Sequence, residues 1–277
     1  MIARVREALS ATGVMSGDIA WIDAGDAADL AIQGDTADAR LALAEFDRLD
    51  FAVRPGERFK ARLFVADMDS TIIGQECIDE LADYAGFKGE VAAITERAMQ
   101  GELDFASALA ERVALLKGMD ARTLAKCLRA RIRPSPGAAI LVATMKAQGA
   151  LTVLVSGGFT DFVRPVGLQL GFDRMRANVL GVERGRLTGS TVGAIVDASA
   201  KRHLAEEILA GMNATREELV AIGDGANDVP MIEFAGLGIG YRPKAALARV
   251  ADGLVRFHDL TAVLWMQGIA RRDWVLG

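Results

Sequence analysis

The chain has 277 residues, of which 51% are hydrophobic and 25% are charged. This composition is typical of a folded globular protein and excludes collagen-like and disordered chains. The net charge is −5, and residues 1–58, with 6 basic and 11 acidic side chains, carry all of it.

Neither a membrane nor a nucleic acid is an expected partner. The longest stretch without charge, residues 147–160, has 14 residues, whereas a helix that crosses a bilayer needs about 18 or more. Basic side chains form no run longer than a pair, and nucleic-acid binding needs a basic patch. Arg4, Arg6 and Glu7 lie where a secretory signal needs an apolar run. We therefore expect a cytoplasmic protein.

Cysteine and histidine are scarce. The chain has two cysteines, Cys77 and Cys127, and two histidines, His203 and His258. These are too few for a disulfide framework or a zinc site. The scarcity of histidine also argues against a Ser-His-acid catalytic triad. We predict that both thiols are buried and inert. If the chain is an enzyme, carboxylates must carry its chemistry.

The first predicted unit is a small N-terminal α+β region. Residues 19–22 have the pattern of a strand and residues 35–49 that of a helix, and Arg54-Pro55-Gly56 is a turn signal. The region is predicted to span residues 1–58. No catalytic constellation is found in it.

Three short apolar runs, each followed by a polar or glycine-rich turn, are predicted as buried parallel strands. Helical segments lie between them, which predicts a doubly wound α/β core. The strands are residues 63–66, 151–155 and 219–222, and the helices are residues 137–148, 161–170 and 198–211. The tail, residues 259–277, is predicted as one helix.

An insertion separates the first two strands of the predicted core, residues 63–66 and 151–155. More than 80 residues lie between them, although a crossover needs only about a dozen or more. Residues 76–132 have the apolar spacing of three or four amphipathic helices. We predict a helical cap at residues 75–132, placed over a core that comprises residues 59–74 and 133–277.

Four aspartates follow two of the predicted strands: Asp67, Asp69, Asp224 and Asp228. Carboxyl ends of neighbouring parallel strands meet at one sheet edge, and grouped carboxylates need a cation. An all-oxygen donor set favours Mg²⁺. Each aspartate alone is equally compatible with a turn or helix cap, but the four together favour a magnesium site.

Two rival motifs do not fit these residues. An EF-hand is excluded because Ile72 stands in place of the loop's glycine. The Gly-x-Gly at residue 223 lacks the third glycine of a dinucleotide-binding fingerprint.

A phosphate site is predicted beside these acids. Ser156, Gly157 and Gly158 follow the second strand and offer a hydroxyl and exposed backbone N–H groups. Lys201 shares an apolar helix stripe with Leu204, which predicts a lysine that begins on the buried side. An ordinary turn and a surface lysine are the alternatives.

Two charged residues of the insertion are candidates for substrate binding. Arg112 lies in the same helical stripe as Phe105 and Leu109, and an arginine on an apolar face favours an anionic partner. Glu76 begins the first inserted helix and could face the acidic motifs. An acid favoured by the helix dipole is an equal explanation for Glu76.

Residues 67–71, 155–159 and 223–228, with the cap segments 76–80 and 112–117, resemble the haloacid dehalogenase superfamily in order and spacing. The resemblance covers residues 61–260. Within the superfamily it is similar to the phosphatases that act on phosphoserine. It implies a Mg²⁺-dependent enzyme that hydrolyses O-phospho-L-serine through an aspartyl-phosphate, the last step of serine biosynthesis.

The resemblance also implies roles for the motif residues. Asp67 is the implied nucleophile and Asp69 the general acid and base, while Mg²⁺ binds Asp67, the Asp69 carbonyl and Asp224, with Asp228 in support. Ser156, Gly157 and Lys201 hold the phosphoryl group, Asn227 lies on the substrate side, and Glu76 and Arg112 bind the ammonium and carboxylate. Longer bacterial relatives carry an ACT-type domain before the core, which implies a degenerate ACT-like unit at residues 1–58.

Alternatives to this function differ in substrate or in class. One is a phosphatase, or a phosphotransferase to an alcohol, that acts on another small phosphomonoester. Another is a binding module on an inactive phosphatase scaffold, which the intact Asp67, Asp69, Lys201 and Asp224 argue against. The sequence leaves the oligomeric state open, a homodimer included.

Overall fold

The computed structural model describes residues 1–56, 60–99 and 102–276. In this part of the chain the strands are β1 Met15–Asp23, β2 Ala27–Gln33, β3 Phe51–Ala52, β4 Leu63–Ala66, β5 Leu151–Phe159, β6 Arg174–Glu183, β7 Arg186–Val192, β8 Leu219–Gly223, β9 Leu237–Tyr241 and β10 Gly253–Val255. The helices are α1 Ile2–Ala11, α2 Thr36–Ala44, α3 Cys77–Ala85, α4 Lys88–Met99, α5 Phe105–Ala114, α6 Arg122–Arg131, α7 Ala138–Ala147, α8 Thr160–Leu170, α9 Ala198–Gly211, α10 Val229–Phe234, α11 Ala245–Ala248 and α12 Ala262–Met266.

The central sheet has eight strands in the order β3-β10-β9-β8-β4-β5-β6-β7. Six neighbouring strands, from β10 to β6, are parallel, and β3 and β7 pair antiparallel at the two edges. The chain proceeds from β4 to one side and then returns to β8 on the other side. This order confirms the predicted doubly wound α/β core and leaves a crevice at the carboxyl ends of β4 and β8.

The apolar run of β4 is explained by burial on both faces of the sheet. Phe64 and Ala66 lie in the hydrophobic cluster on one face, and Leu63 and Val65 lie in the cluster on the other. All four residues are completely buried. Helices cover both faces, so no position of this strand calls for a polar side chain.

The helices α3 to α6 are inserted after β4. Helix α5 packs against β7, and the segment between α5 and α6 is hydrogen-bonded to the β6–β7 hairpin. The N–H of Gly118 donates to the carbonyl oxygen of Leu187 over 2.8 Å, and the N–H of Leu187 donates to the carbonyl oxygen of Met119 over 2.9 Å. The four helices agree with the three or four that the sequence predicts. Residues 75–132 as the bounds of a separate cap stay a prediction.

The N-terminal residues form α1, the β1–β2 hairpin, α2 and β3, which adds to the core sheet beside β10. Helix α2 is shorter than predicted and ends at Ala44. The guanidinium of Arg256 donates to the carbonyl oxygens of Ala44, Phe46 and Leu49, so this segment is held outside a helix. The predicted boundary between residues 58 and 59 lies outside the described residues.

The prediction of one helix in the tail was wrong. Helix α12 ends at Met266, since Gly268 has a φ of 75° and the N–H of Ile269 turns back to the carbonyl oxygen of Leu264. A left-handed glycine with such a bond terminates a helix.

Both cysteines are buried, as predicted. Among the described residues, no helix has the length and apolar character needed to span a membrane.

Candidate active site

The predicted motifs meet at the carboxyl edge of the sheet because β5 and β8 lie on either side of β4. Asp67 and Asp69 follow β4, Ser156 lies near the end of β5, and Asp224 follows β8. Lys201 enters from the first turns of α9. Parallel strands present their carboxyl ends together, so segments distant in sequence share one crevice.

Lys201 joins two of the aspartates. Its Nζ lies 2.6 Å from Oδ1 of Asp67 and 2.7 Å from Oδ1 of Asp228, and all three side chains are buried. Burial lowers the pKa of Lys201, but the carboxylates of Asp228 and Asp67 outweigh it and raise the pKa above its ordinary value. The lysine is therefore charged and fixes both carboxylates.

The acid cluster carries more negative charge than Lys201 balances. Burial raises the pKa of Asp67 well above its ordinary value, and the charge of Asp228 adds to the effect while Lys201 opposes it. Burial also raises the pKa of Asp224. The backbone N–H groups of Asp224 and Gly225 donate to Oδ2 of Asp228 over 3.1 and 3.2 Å.

This cluster fits a divalent metal ion. Carboxylate oxygens of Asp67, Asp224 and Asp228 lie within 4.8 Å of one another, and all three residues are buried. An all-oxygen set with surplus negative charge is the donor chemistry that Mg²⁺ prefers. The Asp69 side chain is not part of this group, and the role of its carbonyl as a ligand stays a prediction.

Asp69 lies next to the carboxyl-terminal end of β5. A Cβ atom at position 158 would be 3.0 Å from Oδ2 of Asp69 and 3.1 Å from Oγ of Ser156, so glycine permits this close approach. Burial raises the pKa of Asp69 to about 7, and the nearby Glu76 acts in the same direction. A carboxyl group with such a pKa can donate and accept a proton near neutral pH. The side chain of Met68 points away into the core.

The predicted phosphate loop, residues 156–158, is not a turn after the strand but forms the last part of β5, and hydrogen bonds hold it. Oγ of Ser156 accepts the N–H of Gly158 over 2.8 Å, and the carbonyl oxygen of Gly157 accepts the side-chain amide of Asn178 over 2.8 Å. Oδ1 of Asn178 in turn accepts the N–H of Val196 over 2.8 Å. Asn178 escaped the sequence analysis because its strand, β6, was not predicted.

Both predicted substrate-binding residues lie near the acids. Glu76 precedes α3, and its Oε1 accepts the hydroxyl of Ser70 over 2.7 Å. Arg112 is partly buried in α5, and its Nε donates to the carbonyl oxygen of Ala108 over 3.2 Å. Burial lowers the pKa of Arg112, while the charges of Asp79 and then Glu76 oppose this effect.

Asn227 lies in the turn between β8 and α10 and is partly exposed. It borders a cleft of about 830 Å³ between the inserted helices and α9. Other residues that line the cleft include Leu103, Phe105, Ala198, His203 and Pro230.

Lys244 was missed by the sequence analysis. Its Nζ lies 3.0 Å from Oδ2 of Asp224 and 3.8 Å from Oε1 of Glu76. The signal was present, since residues 237–241 form a fourth apolar run and Lys244 follows it at the same sheet edge. Two glycines interrupt that run and weaken its strand pattern.

A family model described as haloacid dehalogenase-like hydrolase matches residues 64–233, more than half of the chain. This chain belongs to the haloacid dehalogenase-like hydrolases. Among these hydrolases it is similar to a phosphoserine phosphatase of Archaeoglobus fulgidus, with 44% identity over 236 residues. The match covers 83% of this chain and 68% of the relative.

Two solved hydrolase structures are also similar. A haloacid dehalogenase family hydrolase from Salmonella enterica serovar Typhi has a TM-score of 0.84 and 28% identity, and the match covers 96% of this chain and 94% of that chain. A phospho-aspartyl intermediate analogue of phosphoserine phosphatase has a TM-score of 0.69 and 38% identity, covering 74% of this chain and 98% of that chain.

Proposed function

We propose that this chain is a Mg²⁺-dependent phosphatase that hydrolyses O-phospho-L-serine to L-serine and phosphate. The observation that carries the proposal is the buried Lys201–Asp67–Asp228 arrangement. Arg112 of the inserted helix α5 lies close enough to Glu76 and Asp69 to feel their charges, which supports an amino acid substrate. The similarity to proteins named phosphoserine phosphatase supports the choice of substrate. The reaction releases a free amino acid and completes serine biosynthesis.

In the first half-reaction the Asp67 carboxylate attacks phosphorus and the bond to the seryl oxygen breaks. Asp69 donates a proton to that oxygen, so serine leaves as a neutral alcohol. Lys201 holds Asp67 in place and, with Ser156 and Gly157, binds the phosphoryl oxygens. A carboxylate nucleophile divides a very slow hydrolysis into two easier steps.

In the second half-reaction Asp69, now deprotonated, accepts a proton from water. The water oxygen attacks phosphorus, the bond to Asp67 breaks, and phosphate leaves with the Asp67 carboxylate restored. The raised pKa of Asp69 suits a group that changes protonation state in each turnover.

Asp67, Asp224 and Asp228, with the carbonyl of Asp69, would hold Mg²⁺. The ion would supply positive charge that offsets repulsion between the incoming carboxylate and the phosphate oxygens. The surplus negative charge of the buried acids supports this assignment.

The cap is proposed to select an amino acid. Arg112 would bind the substrate carboxylate through two N–H donors, and Glu76 would bind the ammonium group. Asn227 would contact the substrate beside the cleft. Closure of the cap over the acids would exclude water during phosphoryl transfer. We retain residues 75–132 as the cap, residues 59–74 and 133–277 as the core, and residues 1–58 as an N-terminal unit.

A substrate panel tests the proposal. Phosphate release is measured with O-phospho-L-serine, O-phospho-L-threonine, p-nitrophenyl phosphate and glycerol phosphate, with Mg²⁺ or with a chelator. We expect the highest kcat/KM for phosphoserine, and no activity in the chelator or in Asp67→Asn, which keeps the shape of the nucleophile. A different preferred phosphomonoester, or transfer to an added alcohol, would favour the alternative enzyme. A homodimer stays a prediction that light scattering tests.

A further inference from the structure

Lys244 reaches the acid cluster from a loop that the proposed reaction does not use. The residue follows β9, the strand beside β8, and directly precedes α11. Its backbone N–H donates to the carbonyl oxygen of Asp224 over 2.8 Å. The backbone bond keeps the side chain of Lys244 beside the acids even if the ammonium group moves.

The two lysines divide the three acids of the cluster between them. Lys201 is buried and contacts Asp67 and Asp228, whereas Nζ of Lys244 lies 3.0 Å from Oδ2 of Asp224. The Lys244 side chain is 66% exposed and that of Asp224 is 7% exposed. Lys244 is therefore a solvent-facing cation at the mouth of the cluster, and it is also 3.8 Å from Glu76 of the cap segment.

We propose that Lys244 is a positioning residue that sets the metal affinity of this site by competing for the Asp224 carboxylate. The inference rests on the proposed function, because Asp224 is one of the acids assigned to Mg²⁺. The ammonium group and a divalent ion use the same carboxylate and repel each other. Without metal, the ammonium balances the charge of Asp224 and stabilises the acid cluster.

The expected size of the effect follows from Coulomb's law. A unit charge a few ångströms from a divalent ion changes the dissociation constant of that ion by about tenfold, even with the screening of water. The exposure of Lys244 makes the screened value the appropriate one. Lys244 thus weakens metal binding by about tenfold and lowers the free energy of the metal-free protein.

The test compares three variants with the wild type. Lys244→Met removes the charge and keeps a long unbranched side chain, and Lys244→Arg keeps the charge. Lys88→Met is a matched control, since the Lys88 side chain is 72% exposed and lies 3.6 Å from Asp83, outside the acid cluster. Mg²⁺ is titrated into each metal-free protein by calorimetry, and the Tm is measured with and without the metal.

We expect Lys244→Met to lower the Kd for Mg²⁺ by about tenfold and to lower the Tm of the metal-free protein. At saturating Mg²⁺ the Tm of Lys244→Met should match that of the wild type. Lys244→Arg and Lys88→Met should match the wild type in both the Kd for Mg²⁺ and the Tm. An unchanged or raised Kd in Lys244→Met, or an equal gain in Lys88→Met, would overturn this inference and leave the proposed function intact. Failure of the wild type to bind Mg²⁺ would overturn both.

Discussion

The ring of Phe105 in α5 lies against Gly157 in β5: a Cβ atom at position 157 would be 2.9 Å from Cζ of Phe105. Gly157 belongs to the loop proposed to bind the phosphoryl group. Phe105 begins α5, the helix that carries Arg112. One close contact therefore connects the proposed phosphate loop to the proposed carboxylate-binding helix, and it depends on the missing side chain at position 157.

Gly157→Ala is expected to push α5 away from the loop, because the new methyl group would meet the Phe105 ring. Overpacking of this kind costs about 1–3 kcal/mol, which corresponds to a loss of roughly 5- to 150-fold in kcat/KM for phosphoserine. Phe105→Leu removes the ring tip, so the double variant should recover part of the loss. Strictly additive losses in the two single variants and the double variant would contradict the contact.

Asp69→Asn keeps the side-chain shape but removes the exchangeable proton, so both half-reactions should slow. The first half-reaction should slow much less with p-nitrophenyl phosphate than with phosphoserine, since p-nitrophenolate leaves without protonation. Single-turnover kinetics with the two substrates measure this difference. If both substrates lose the same factor, Asp69 does not act as the general acid.

Arg112→Ala should lower kcat/KM for phosphoserine, because the substrate carboxylate would lose its charged partner. Truncating one member of a buried charge pair costs about 2–5 kcal/mol, which corresponds to roughly 30- to several-thousand-fold. p-Nitrophenyl phosphate has no amino acid group, so kcat/KM for this substrate should fall far less.

The control for this variant is Arg122→Ala, since the Arg122 side chain is 85% exposed and pairs with Asp120 at the surface. In this control variant, kcat/KM for both substrates should match the wild-type values. An unchanged ratio of the two kcat/KM values in Arg112→Ala would make Arg112 a structural residue.

Asp50→Ala tests how the N-terminal region is attached to the core. The Asp50 carboxylate accepts the backbone N–H groups of Arg256, Phe257 and His258 over 2.7, 3.0 and 2.8 Å, and its side chain is 5% exposed. Truncation leaves these donors without their acceptor, so the free energy of unfolding should fall by about 2–4 kcal/mol. Denaturant unfolding measures the change, and the exposed Asp47→Ala serves as control. Equal stability of the two variants would contradict this role.

Local pattern was sufficient for the central strands and several helices. The predicted strand at residues 63–66 and helix at residues 198–211 have the observed bounds, because continuous apolar burial and a helix cap by Asp197 are local signals. The β6–β7 hairpin was missed, since its burial pattern is mixed and does not alternate cleanly. Strand β9 was missed because of its glycines.

Tertiary contacts decided the end of α2 and hold the segment after α12, although Gly268 ends α12 itself by a local signal. Helix α2 stops early because Arg256, more than 200 residues away in sequence, takes the carbonyl oxygens that a longer helix would use. The segment after α12 is held by Asp23, which accepts the N–H of Arg271 over 2.8 Å and the indole N–H of Trp265 over 2.6 Å. No periodicity within either helix encodes these partners.

The sequence by itself determined the chemical inventory of the site: which carboxylates, hydroxyls and glycines follow which strands, and that a helical insertion separates the first two. Only the tertiary structure decided the pairings, Lys201 with Asp67 across 134 positions and Lys244 with Asp224. The physical reason is that such contacts depend on strand order, which places β5 and β8 beside β4 and β9 beside β8. Strand order results from how whole elements pack together, and no short stretch of residues encodes it.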